Sequence, residues 1–161
     1  MSDVPGWLKH ASVWLLVALA VFVGVMAWQR EEAATRFTLS GGTLEIRRSA
    51  DGHYHWPGSV NGRAVDFLVD TGATSTALPE ALARELKLRN IGRVRSSTAG
   101  GVVDAGIALA DVALQGGIAA ERLRVATLAG LEAPLLGMDV LGRLQWRQER
   151  GVLHIEVPAT P

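Results

Sequence analysis

The chain has 161 residues, 48% of them hydrophobic, with 16 basic residues against 16 acidic ones and no cysteine. Such a length fits one compact domain with an appendage. The charge balance excludes the basic footprint of a nucleic-acid binder, and the missing cysteine excludes disulfides, thiolate nucleophiles and cysteine metal sites.

Residues 1–10 read as a short N-terminal tail. Ala11 to Trp28 follows as an apolar run with Ser12 as its one clearly polar member and no charge. At about 1.5 Å per residue, the run is just long enough to cross a hydrocarbon core of roughly 30 Å. Trp7, Trp14 and Trp28 lie near its ends, where indole rings favour the headgroup level. No polar stripe is available to face water, which argues against a buried core helix. The run is longer than a signal-peptide core and lacks a small-x-small cleavage site after it, so a retained transmembrane anchor is expected. Lys9 and His10 before the span and Arg30 and Arg36 after it do not settle orientation by charge. The short N-terminus is expected to stay in the cytoplasm, with the remainder exported.

Residues 29–36 are polar and charged and read as a linker to a folded domain over 37–158. That domain reads as mostly strands. Thr43 to Arg47 alternates, with Asp51-Gly52 after it as a hairpin signal. Trp56 to Val60 ends at a second turn, Asn61-Gly62, and Ala64 to Val69 then places Val65, Phe67 and Val69 on one face. Further strands are expected over Gly106 to Leu114, Leu123 to Leu128 and Val152 to Val157. Gly100-Gly101 and Gly116-Gly117 read as hairpin tips. Two short helices are expected, Pro79 to Leu88, with Glu80 and Arg84 as an i,i+4 pair, and Met138 to Leu144. Short strands with glycine-rich turns argue for an all-β barrel or sandwich.

The segment that carries chemistry is Phe67-Leu68-Val69-Asp70-Thr71-Gly72-Ala73-Thr74-Ser75. An apolar strand runs into an aspartate and a glycine turn, which partly desolvates the carboxylate. Gly72 lets the backbone turn tightly and bring amides to the carboxylate, and the hydroxyls of Thr71, Thr74 and Ser75 are available to orient it. Alone, Asp-Thr-Gly is a weak signal, since Asp-x-Gly is ordinary turn chemistry.

In context the chain resembles the retropepsin-like aspartic proteases. It has their apolar strand and Asp-Thr-Gly-Ala at Phe67 to Thr74, a flap tip at Ser97-Thr98-Ala99-Gly100-Gly101, and Leu135-Leu136-Gly137-Met138-Asp139-Val140-Leu141 as the later apolar pair with glycine. It is most similar to bacterial, membrane-anchored members, which share Gly52-His53-Tyr54, Val60-Asn61-Gly62, Thr98-Ala99-Gly100-Gly101 and Leu136-Gly137-Met138. The likeness runs from about Leu44 to Ile155. It implies a closed retropepsin-like β-barrel, peptide or protein substrates, no cofactor and no metal. It implies a single-pass protein of the bacterial inner membrane with its C-terminal domain in the periplasm. It makes Asp70 the catalytic carboxylate, with Gly72, Ala73 and Thr74 completing the active-site loop. Thr71 matches the threonine that braces the two active-site loops across a dimer. Thr98, Ala99, Gly100 and Gly101 match the substrate-covering flap, and Leu135, Leu136 and Gly137 match the strand that supports the catalytic loop. Ala99-Gly100-Gly101 lacks the bulkier flap residues of viral relatives, and their dimer-joining terminal strands have no clear match.

Aspartic peptidase chemistry needs two carboxylates, and one such motif is present. Asp139 falls where a short helix begins, so capping is expected of it rather than catalysis. A homodimer that apposes two copies of Asp70 supplies the pair. His53 and His55 would share a strand face as metal ligands do, but no third ligand lies at a helpful spacing. Neither a phosphate-binding Gly-Lys-Ser/Thr nor a Gly-x-Ser-x-Gly elbow occurs. The alternative to a peptidase is a catalytically silent, membrane-anchored module of the same fold that binds peptides or dimerises.

Overall fold

A computed structural model of the protein describes residues 14–26, 37–40, 42–98 and 101–156. The chain divides into two compact units, Met1–Arg36 and Phe37–Pro161. In the first unit, helix α1 covers 14–26, and its side chains from Trp14 to Met26 are exposed. The ends of the expected 11–28 span, the tail and the 29–36 linker lie outside the described residues. Among the described residues, no helix is long and apolar enough to cross a membrane.

The second unit is built almost wholly of strands. These are β1 (Phe37–Ser40), β2 (Thr43–Arg47), β3 (His55–Val60), β4 (Arg63–Val69), β5 (Ala77–Pro79), β6 (Asn90–Thr98), β7 (Gly101–Leu114), β8 (Ile118–Leu128), β9 (Leu135–Leu136), β10 (Trp146–Glu149) and β11 (Val152–Glu156). Helices α2 (Glu80–Glu85) and α3 (Met138–Leu141) interrupt them. One sheet runs β3-β4-β9-β5-β8-β7-β6, and a further pairing of β3 with β7 closes its first six strands into a barrel. The other sheet runs β1-β2-β11-β10. The all-β barrel expected from the strand pattern is therefore the observed fold.

Local sequence explains most of this. Asn61 and Gly62, at φ 49° and 81°, adopt the left-handed conformation that a two-residue hairpin demands, and they join β3 to β4. Alternation along β4 then buries Phe67 completely, beside the equally buried Trp56 of β3. Each such ring stabilises the fold by about 2–3 kcal/mol through burial. The Trp56 indole N–H reaches the carbonyl of Gln115 at 2.9 Å, so its polar edge is satisfied. Closure of the barrel requires a glycine on β3. A Cβ at Gly58 would lie 2.4 Å from the Ala113 carbonyl oxygen, where β3 meets β7.

Several expectations need correction. Asp51-Gly52 forms a turn, with the Gly52 N–H on the Ser49 carbonyl, but it is not a hairpin. Strand β2 pairs with β1 and β11 and β3 pairs with β4, so this turn carries the chain from one sheet to the other. Strand β3 begins at His55, so His53 does not share a strand face with it. Both helices are shorter than expected. The Glu80–Arg84 pair forms at 3.7 Å on exposed side chains, where such a contact contributes little.

Candidate active site

Strand β4 delivers Asp70 to the end of the barrel wall, and a second strand from far along the chain fixes it there. Leu68 and Val69 pair in parallel with Leu135 and Leu136 of β9. The Asp70 N–H then continues the ladder onto the Leu136 carbonyl at 3.0 Å. The same β9 pairs antiparallel with β5 through Leu135 and Ala77, so both arms of the Asp70 loop lie against one short strand. The loop-supporting segment expected over Leu135, Leu136 and Gly137 thus lies against the loop.

Within the loop, the Gly72 N–H donates to Oδ1 of Asp70 at 2.8 Å, and the Ala73 N–H donates to the Asp70 carbonyl at 3.2 Å. The carboxylate is held by a backbone amide here, not by the hydroxyls of Thr71, Thr74 or Ser75. Gly72 does not adopt a left-handed φ either. Its constraint is one of space, because a Cβ there would sit 3.1 Å from Oδ1 of Asp70. Asp70 itself is half-buried, whereas Thr71, Gly72, Thr74 and Ser75 are exposed. The loop therefore presents a partly shielded carboxylate on an open rim.

Behind the loop stands α3. The Met138 N–H donates to the Ala73 carbonyl at 2.8 Å, and the Asp139 N–H donates to the Thr74 carbonyl at 3.2 Å. Gly137 packs against the loop backbone. A Cβ there would fall 2.5 Å from the Ser75 carbonyl carbon and 2.8 Å from the Thr76 nitrogen. Asp139 does not cap α3 with its side chain as expected. Its carboxylate accepts from the Thr76 N–H at 2.9 Å and from the Thr76 hydroxyl at 2.8 Å. Thr76 is fully buried, and its Oγ1 also accepts from the Gly137 N–H at 3.3 Å. Burying this hydroxyl is tolerable because both its donor and acceptor capacities are used.

The Asp139–Thr76 link joins residues 63 positions apart. Sequence reading missed Thr76, and no local pattern marks it. The hint was a residual acid beside the apolar pair and glycine.

The expected flap residues fall on a separate hairpin. Strands β6 and β7 pair out to Thr98 opposite Gly101, and the tip residues Ala99 and Gly100 lie outside the described residues. Val102, next to the tip, is 70% exposed. Among the described residues, no cluster of three or more histidine or acidic side chains is arranged to hold a metal ion.

Residues 56–143, more than half of the chain, match the family profile described as "gag-polyprotein putative aspartyl protease". No curated protein matches the sequence. Among solved structures, a retropepsin-like aspartic protease from Rickettsia conorii is similar, with 25% identity and a TM-score of 0.58. That match covers 74% of this chain and 93% of the rickettsial one. The EIAV protease, solved with the inhibitor HBY-793, shares the fold at 23% identity and a TM-score of 0.50, covering 61% of this chain and 93% of its own. The matched segment carries Asp70, its loop and the β9–α3 brace together, and the chain belongs to the retropepsin-like aspartic protease family.

Proposed function

We propose that the protein is an aspartic endopeptidase whose active site forms when two copies of the chain bring their Asp70 carboxylates together on a two-fold axis. The observation that carries this reading is the loop itself. Asp70 is oriented by the Gly72 amide and braced from behind by β9 and α3, while Thr71 and Gly72 on its rim are open to a second copy. Asp139 does not serve as the second acid, because its carboxylate is engaged with Thr76.

Two carboxylates in contact do not both ionise, so the apposed pair holds one proton between them. The ionised member takes a proton from water as that water attacks the scissile carbonyl. The protonated member donates to the carbonyl oxygen and stabilises the charge that develops there. Thr71 braces the two loops against each other, and the β6–β7 hairpin, with Thr98 to Gly101 at its tip, covers the peptide.

A shared site makes activity depend on assembly. Cleavage of a denatured protein by the soluble domain, Phe37 to Pro161, is expected to rise faster than linearly with enzyme concentration in the dilute range. Sensitivity to pepstatin-like inhibitors should accompany it. Strictly linear activity down to dilutions where sedimentation shows only monomer would contradict the shared pair, and no cleavage at any concentration would favour the silent module.

We further propose that residues 11–28 anchor the chain in a membrane, with the folded unit exported. The uncharged run and its flanking tryptophans support this reading. Confinement to a bilayer raises the effective concentration of one chain for another and favours the dimer. The full chain should stay with membranes through alkaline carbonate extraction, and its release into the supernatant would overturn the anchor.

A further inference from the structure

His55 opens β3, and both of its ring nitrogens end on carboxylates. Nδ1 lies 2.9 Å from Oδ2 of Asp66 on β4, and Nε2 lies 2.7 Å from Oδ2 of Asp51 in the preceding turn. The imidazole is 18% exposed, while the two acids are nearly half exposed. A neutral imidazole has one N–H, so it donates to one of these oxygens and turns a lone pair toward the other. An imidazolium donates to both. Two further charged residues lie at this corner: His53, whose backbone N–H donates to Oδ1 of Asp51 at 3.0 Å, and Arg48, whose Nε donates to the Gly52 carbonyl at 2.6 Å.

The bridge lies on the strand that carries Asp70. Asp66 belongs to β4, His55 is the register partner of Leu68, and the Tyr54 carbonyl accepts from the Val69 N–H at 2.9 Å. Residues 54–55 are thus fastened to β4 twice just before the catalytic loop, by the His55–Asp66 contact and by the Val69 bond to Tyr54.

We propose that His55 is a positioning residue: by bridging Asp51 and Asp66 it fastens the exit of β4 and so holds the Asp70 loop in place. This rests on the reading of Asp70 as the catalytic carboxylate. The His53 amide and the His55 side chain hold the Asp51 carboxyl below its ordinary 3.8. A depressed carboxyl contributes stability above its unfolded value and loses it as pH falls through the folded one, so the Asp51 end of the bridge persists into acid.

The test uses the full chain carrying Asp70→Asn, so that cleavage plays no part in the measurement. Amide hydrogen exchange at Val69, expressed as protection over the intrinsic rate, is compared with and without an added His55→Phe, which keeps a ring but neither nitrogen. Protection is expected to fall by about tenfold, the size of one charge-assisted hydrogen bond lost. Adding His55→Gln instead, whose side chain keeps a donor and an acceptor, should restore part of it. In the otherwise wild-type chain, His55→Phe should lower kcat with KM little changed, and His55→Gln should recover part of the loss. Equal protection and equal cleavage in all these chains would overturn the role of His55. Loss of protection where the parent chain with Asp70 intact cleaves nothing would instead keep the bridge and remove the catalytic reading.

Discussion

Asp70→Asn is expected to lower peptide cleavage by about 10³-fold or more while leaving the fold intact, because the substitution removes acid–base chemistry and little else. Asparagine retains an Oδ1 acceptor, so the 2.8 Å bond from the Gly72 amide survives, as does the backbone ladder from Asp70 to Leu136. What it cannot do is take a proton from water. The defect should also spread to wild-type chains. Excess variant mixed with wild type should form dimers holding one ionisable carboxylate, and activity should fall below that of the wild type alone. Turnover that persists in the variant, with the same substrate and pH range, would remove Asp70 from its assigned role.

Gly137→Ala is expected to destabilise the fold by about 3 kcal/mol, at the upper end of the usual cost of overpacking. A methyl group there meets the Ser75 carbonyl carbon at 2.5 Å, its oxygen at 2.7 Å and the Thr76 nitrogen at 2.8 Å. All three are backbone atoms of the catalytic loop, so no flexible side chain can swing aside. Relief requires the loop and α3 to separate, which loosens the Asp139 bonds to Thr76 and the Met138 bond to Ala73. The unfolding midpoint should fall by about 10 °C, and activity should be lost even at temperatures where the chain remains folded. An unchanged midpoint with full activity would show that the loop tolerates displacement and is not braced at Gly137.

The parts of this architecture legible in the sequence are those with local chemistry. Asn61-Gly62 announces its hairpin, and Val65, Phe67 and Val69 announce the strand that leads to Asp70. Strand β5 was missed because three residues are too few to show a period, and the equally short β9 was legible only through the family resemblance. Strand β10 was missed because Trp146 to Glu149 is an exposed edge with no apolar alternation. Asp51-Gly52 was misjudged for a different reason. A turn dipeptide specifies a reversal, not the partner strand, and β2 finds its partner in β11 near the far end of the chain. The same holds inside the site. The Asp70 motif is contiguous, but the Thr76–Asp139 bond, the Gly137 contact and the His55 bridge join residues that adjacency does not relate.

The long separation between the loop and its brace also governs when the site comes into being. Strands β3 and β4, and likewise β7 and β8, are neighbours in sequence and can pair as soon as both members exist. The parallel pairing of β4 with β9, and the bond from Asp139 to Thr76, must wait until the late part of the chain has been made. Such non-local closures are the slow steps of β-folds. During synthesis, at about 5–20 residues per second, Asp70 emerges well before Leu136 and Asp139. The nascent chain passes through a period in which the aspartate is present without the strand and helix that hold its loop. Barrel closure is thus a timing step, and the order of strands along the chain keeps the loop unbraced until the fold is almost complete.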